Sequence, residues 1–265
     1  MHKNKPNFQR YPRREHKWED KIYVYGRHAL EEALEKAPHT IKKIYLSGDA
    51  ETPEIKEALA KRGLTAAHLK QKDTKNFVGQ DAVHQGVIAV IDPTKLVRGF
   101  KEFEMGIKAT DDTVLVLLDE LTDPQNVGAI IRSAAAFGAQ GVLLPQHRQA
   151  PVTGAVAKVS AGMVFSVPLV SIGNVNQTVI ALKEKGFRTY GLDMRGNQAL
   201  QTENFSGPSL IIVGNEGAGI REKTLGYCDT ILEIPMSRRC ESLNASVSAA
   251  VVLYEWSKHH PQAIQ

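Results

Sequence analysis

Three short segments of this 265-residue chain carry polar side chains of the kinds that bind and orient a ligand, and each lies where an apolar run gives way to a loop. The first is Asp123-Pro124-Gln125-Asn126-Val127-Gly128, followed by Arg132 among small residues. An amide donates and accepts at once, and a guanidinium offers a planar fork of donors. The second is Val213-Gly214-Asn215-Glu216-Gly217-Ala218-Gly219, whose glycines let backbone approach a ligand closely and whose single charge is Glu216. The third is Ile234-Pro235-Met236 and then Ser242-Leu243-Asn244-Ala245-Ser246, rich in oxygens that can take the orphan N–H groups of a helix start. Each has a plainer reading. Arg132 alone is a solvated helix arginine, Asn126 and Asn244 are caps, the glycine loop is a tight turn, and Ile234 and Leu243 are core. Three such loops in one chain strengthen the ligand reading, because open α/β sheets bind ligands at strand ends.

The elements that must position these residues follow from periodicity. Val114–Leu118 is a continuous apolar run, typical of a buried parallel strand. Asp123 as a cap with Pro124 in the first turn starts a helix, Val127, Ile130, Ile131, Ala134 and Ala135 recur at helical spacing, and Gly138 closes it. Across residues 111–260 the pattern predicts strands at 113–118, 141–144, 167–170, 187–192, 209–213 and 230–234. Helices are predicted near 125–137, 152–160, 174–185, 219–226 and 245–258. Such alternation implies a mainly parallel sheet, and by itself an ordinary open one. Residues 21–92 alternate too, with strands at 22–25, 41–46 and 87–91, a strand or edge at 64–69, a helix that follows Gly26 and runs through Lys36, and a helix at 53–62. That is a small α/β domain. The mixed, charged stretch 93–110 reads as a linker whose Phe100 and Phe103 are placed to pack on a neighbouring domain. The expected organisation is an arm over 1–20, a small domain over 21–92, a linker over 93–110 and the main domain over 111–265.

Taken together, the three segments resemble the three motifs of the SpoU (TrmH) family of RNA 2′-O-methyltransferases, in the SPOUT superfamily, in order and spacing as well as residue type. Tyr25-Gly26-Arg27-His28 and His84-Gln85-Gly86-Val87 are similar to that family's substrate-binding domain. The likeness runs from about 21 to 258, and the nearest branch is the bacterial one that methylates a guanosine ribose in 23S ribosomal RNA.

The resemblance implies several things that periodicity does not. The main domain is expected to be an α/β SPOUT-type parallel sheet with a deep trefoil knot, joined to a small N-terminal α/β domain like a ribosomal protein. The cofactor is expected to be S-adenosyl-L-methionine, held by Gly214, Asn215, Ile234, Met236 and Leu243, with Ile234 and Leu243 able to sandwich a flat ring. Asn126, Arg132, Glu216, Ser242 and Asn244 are expected around the reacting ribose. Arg132 is read as a holder of substrate phosphate and a stabiliser of the 2′-oxyanion, since a free guanidinium does not deprotonate at ordinary pH. Glu216 is read as orienting Arg132 or Asn126. Partners are RNA, ribosomal by this likeness, and a second copy in a homodimer. One departure stands out: Arg238 occupies a position where the family usually has glycine. A transfer RNA enzyme, a resistance-type ribosomal methyltransferase and an RNA-binding assembly factor without catalysis stay open beside the leading reading. A dinucleotide-dependent oxidoreductase fits less well, since Gly214–Gly219 spells G-x-x-G-x-G rather than G-x-G-x-x-G.

Composition agrees with this picture. The chain is 42% hydrophobic and 23% charged, ordinary for a globular protein, with a formal net charge of +4. Residues 1–20 carry six Lys or Arg against three acids and lack periodicity, which suits a disordered basic arm that touches RNA phosphate or an inert tail. No apolar run approaches the ~20 residues that span a bilayer, and the polar N-terminus is unlike a secretory signal. Two cysteines make no disulfide framework, so a cytoplasmic setting is expected, and no Cys/His cluster points to a metal.

Overall fold

Residues Val114–Asp119 form a strand buried along its whole length, and its side chains divide between two cores. Val114, Val116 and Leu118 enter the larger core, while Leu115 and Leu117 enter a second one on the opposite face. A strand covered on both faces needs no polar alternation, which is why its sequence is uniformly apolar. The computed structural model describes residues 21–70, 74, 77–78, 84–196, 198–237 and 239–264, and the basic arm expected over 1–20 lies outside them.

Strands β1 (Ile22–Tyr25), β2 (Ile41–Leu46), β3 (Ala66–His68) and β4 (Val87–Ile91) make a small sheet in the order β1-β4-β2-β3. β4 is antiparallel to β1 and β2, and β3 is parallel to β2. Helices α1 (Arg27–Lys36) and α2 (Pro53–Ala60) accompany it, the second started by Thr52, whose hydroxyl accepts the Ile55 N–H. Strand β3 is shorter than the 64–69 expected.

The predicted linker contains regular structure. Asp92 caps a short helix α3 (Pro93–Leu96), with its carboxylate accepting the Thr94 N–H at 3.1 Å. Strand β5 (Val97–Gly99) then pairs parallel to β8 at the edge of the large sheet, and α4 (Phe100–Gly106) buries Phe103 against the second core. A three-residue strand has too short a run to show a period, so the charged side chains around it masked it.

The large sheet continues with β6 (Val114–Asp119), β7 (Gly141–Pro145), β8 (Leu169–Ile172), β9 (Arg188–Leu192), β10 (Gln198–Ala199), β11 (Ser209–Gly214) and β12 (Thr230–Glu233). Its order is β10-β12-β9-β11-β6-β7-β8-β5, with every neighbouring pair parallel. Helices α5 (Pro124–Ala136), α6 (Gly154–Val159), α7 (Val175–Glu184), α8 (Glu222–Leu225) and α9 (Ala245–His259) complete the layers. Val127, Ile130, Ile131 and Ala134 of α5 join Ala249, Val252, Leu253 and Trp256 of α9 in the larger core, and Val175, Val179 and Leu182 of α7 line the other. Each valine, leucine or isoleucine among them contributes on the order of 1.5–3 kcal/mol when removed from water. Parallel pairing puts the carboxyl ends of β6, β9, β11 and β12 on one edge, and there the three polar segments meet.

Candidate active site

A cavity of about 530 Å³ opens at those strand ends. Its walls are the segment after β9 (Leu192 to Arg195), the glycine loop after β11 (Val213 to Gly219), the end of β12 with Ile234 and Met236, and Cys240 to Leu243 leading into α9. Apolar and polar side chains alternate around it, as in a pocket that grips a ring and fixes its edges.

The glycine loop is folded tightly on itself. Asn215 and Gly219 exchange both backbone hydrogen bonds at 3.1 and 2.9 Å. The Asn215 carboxamide oxygen accepts the N–H groups of Gly217 and Ala218 at 2.9 and 3.1 Å, while its Nδ2 donates to the Glu120 carbonyl at 2.9 Å. Packing alone already requires glycine at 214: a Cβ there would lie 2.3 Å from the backbone of Gly219 and Ile220. The chain itself fills that space. Asn215 and Gly214 thus shape the cavity wall that they also line.

The first and second segments are joined by one hydrogen bond. Asn126, buried at the start of α5, donates from Nδ2 to Glu216 Oε1 at 2.6 Å. That bond fixes the amide's orientation, and Oδ1 has no hydrogen bond to a described residue. Arg132 lies further along the same helix, exposed and without a hydrogen bond or ion pair to a described residue, and it does not line the cavity. Within one chain, then, Glu216 bonds Asn126 and, among the described residues, makes no hydrogen bond or ion pair with Arg132.

In the third segment, Ser242 and Leu243 line the cavity beside Ile234 and Met236, and Ser242 accepts from the Cys240 thiol through its carbonyl at 3.3 Å. Asn244 does not line it. Its Oδ1 accepts from the Ser246 N–H, the Ser246 hydroxyl and the Val247 N–H at 2.9, 2.6 and 3.4 Å, which is a helix cap. Arg238 lies outside the described residues.

Two acid–arginine pairs escaped the sequence reading. Asp193, on the cavity wall, takes a two-pronged bond from Arg195 at 2.7 and 2.9 Å, which holds its carboxyl below the usual range although burial works the other way. Asp119, fully buried at the end of β6, is gripped by Arg221. A charge closing an otherwise apolar strand was the available signal for Asp119. Among the described residues no cluster of His, Cys, Asp or Glu could hold a metal ion.

A wholly parallel, layered α/β sheet with its cavity at the carboxyl ends defines a cofactor- or nucleotide-binding class of domain. The SpoU rRNA Methylase family model matches residues 113–254, and the model for RNA 2'-O ribose methyltransferase substrate binding matches residues 23–97. The chain belongs to the SpoU rRNA methylase family. It is 33% identical over 234 residues to the 23S rRNA (guanosine-2'-O-)-methyltransferase RlmB of Pseudomonas putida, covering 88% of this chain and 94% of that one. To RlmB of Neisseria meningitidis serogroup B it is 34% identical over 235 residues, covering 88% and 93%. Among solved structures, the SpoU methyltransferase AviRb from Streptomyces viridochromogenes in complex with AdoMet shares the fold at a TM-score of 0.77 and 23% identity, over 92% of each chain.

Proposed function

We propose that this protein methylates a ribose 2′-hydroxyl in RNA at the expense of S-adenosyl-L-methionine, and that its target is a guanosine of 23S ribosomal RNA. The observation that carries the reading is the Asn126–Glu216 bond beside the cavity at the strand ends, which joins two of the three family motifs.

The cavity fits the cofactor. Its volume lies within the ~300–1,000 Å³ typical of small-molecule sites; Ile234, Met236 and Leu243 offer apolar surface for a flat base, and the glycine loop offers backbone groups for its edges. When bound, S-adenosylmethionine supplies a methyl group carried on a positively charged sulfur. The protein's own part is to hold and orient. Asn126, its Nδ2 committed to Glu216, presents Oδ1 as an acceptor for a sugar hydroxyl. Ser242 positions the hydroxyl or the cofactor's carboxylate, and Arg132 holds substrate phosphate and steadies the developing oxyanion.

Arg132 stands away from the cavity of its own chain, which favours a homodimer in which it serves at a subunit boundary. An exposed apolar stripe on α9, Val247, Val251 and Tyr254 at 47%, 37% and 57% exposure, offers a surface for the second copy. The edge-on contact of Tyr254 with Phe137 carries that face onto the end of α5.

The knot belongs to the same reading. After β12, which pairs outside β9, the chain returns so that α9 packs on α5, an arrangement compatible with a threaded C-terminal segment. Residues 21–92 serve as the RNA-binding part, ribosomal-protein-like in role, and 111–265 as the methyltransferase part, with 93–110 between them. Ribosomal RNA as substrate sets the place of action in the cytoplasm.

Mapping 2′-O-methyl groups on total RNA, with and without the protein, tests the activity. One 23S guanosine should gain its methyl only when the protein is present; an unchanged map from protein that binds RNA and no cofactor would instead mark a non-catalytic assembly factor. Arg132→Ala should lower single-turnover methylation by at least ~10²-fold, the scale of one preorganised donor, and near-normal rates would remove Arg132 from the chemistry.

A further inference from the structure

The glycine loop is tied at both ends to two consecutive residues, Asp119 and Glu120, at the tip of β6. At its start, Asn215 Nδ2 donates to the Glu120 carbonyl. Beyond its end, Arg221 Nη2 donates to Asp119 Oδ1 at 2.6 Å and Nε to Oδ2 at 3.2 Å, while the Arg221 backbone N–H reaches the same Oδ2 at 3.3 Å. Its Nη1 stands 3.1 Å from Glu120 Oε1. Such a fork sets direction as well as distance. Asp119 is fully buried, so without this partner its charge would be stranded. Glu120 is held at φ 63°, a backbone region that non-glycine residues rarely adopt and that surrounding contacts must enforce.

Between the two ties the loop has no slack. Gly219 and Ile220 already press on Gly214, and Glu216, whose carboxylate meets Asn126, sits in the stretch between. Arg221 itself does not line the cavity. A displacement of Arg221 is therefore transmitted through Ile220 and Gly219 to the cavity wall and to the Asn126–Glu216 contact.

We propose that Arg221 is a positioning residue for methyl transfer: its fork on Asp119 locks the glycine loop in the shape that receives the cofactor and keeps Glu216 on Asn126. The proposal rests on the methyltransferase reading for its consequence and on loop geometry alone for its cause, and the experiment separates the two.

Hydrogen exchange at the Gly217 and Ala218 amides, which Asn215 holds, reports the loop with no cofactor present. Arg221→Lys keeps the charge and loses the fork. It should speed exchange at those amides by ~10-fold or more and weaken calorimetric binding of S-adenosylmethionine by a similar factor. RNA affinity and the thermal midpoint should stay near the wild type. The double variant Asp119→Asn/Arg221→Gln, a neutral hydrogen-bonding pair, should recover part of what Arg221→Gln alone loses. Unchanged exchange in both Arg221→Lys and Arg221→Gln overturns the proposal, as does a loss of cofactor binding that only tracks a fall in thermal midpoint. Faster exchange in a protein whose wild type binds no S-adenosylmethionine would sink the methyltransferase reading and leave the loop lock standing.

Discussion

Asn126 is polar and almost fully buried, and its side-chain bond to Glu216, the one it makes among the described residues, decides which side of the amide stays uncommitted. Burial governs the two thiols as well. Burial first, and the nearby Asp229 second, push the Cys228 thiol up to about 12, whereas Cys240 is exposed on the cavity wall. At pH 8, iodoacetamide should label Cys240 first, bound S-adenosylmethionine should slow that labelling, and Cys228 should react only on unfolding. The sign of the pH effect follows. The folded chain keeps a proton on Cys228 that the unfolded chain releases near its ordinary ~8.5, so stability falls as pH rises from there toward 12. Thermal midpoints measured from pH 8 to 10 should drop more steeply for the wild type than for Cys228→Ser. At this scale the sequence disclosed residue types and hid their partners. Asn126 and Glu216 were each legible, but their contact spans 90 positions. Asp119 was concealed because an apolar run absorbs its last residue into the strand, and nothing local pairs it with Arg221.

Helix α9 begins at the edge of the cavity, and Asn244 stands at that start between the lining residues Leu243 and Ala245 without lining the cavity itself. Its side chain caps the helix, so Asn244→Ala should cost about 1 kcal/mol of stability. Asn244→Ser keeps a capping oxygen and shortens the amide. If capping is the whole role, Asn244→Ser should retain wild-type turnover and thermal midpoint. A midpoint preserved with methylation lost would assign Asn244 to the ribose. Elements of this length were readable from sequence, since β6, β11, α5 and α9 carry long apolar runs or clear caps. Strands β5 and β10 were not, because three and two residues cannot display a period. Their pairing is imposed by the neighbouring strand, a cause that lies outside the segment itself.

The seam between the small and large sheets was invisible in the sequence, whose charged stretch 93–110 reads as a linker parting them. Helix α6 meets β1 so closely that a Cβ on Gly154 would lie 1.9 Å from the Tyr23 carbonyl oxygen. Nearby, the Ser166 hydroxyl donates to Glu32 at 3.0 Å and Lys158 lies 5.2 Å from the centre of the Tyr25 ring. Buried residues of both sheets belong to one continuous core. Gly154→Ala should force this seam open and lower stability by about 1–3 kcal/mol, the range for overpacking. RNA binding should weaken while calorimetric cofactor affinity holds, because the cavity lies elsewhere; equal loss of both would mean that the seam and the cavity are mechanically one.

Trp256 offers a way to watch the molecule become competent. It is fully buried in α9 and stacked 4.4 Å from His260, in the helix that follows directly from the wall at Cys240 to Leu243. Ala245 and Ser248 of that helix also line the cavity, so docking it both buries the indole and completes part of the wall. In a Trp18→Phe background, which leaves one indole of the chain's two, emission during refolding would act as a clock for the moment the protein can first hold its methyl donor.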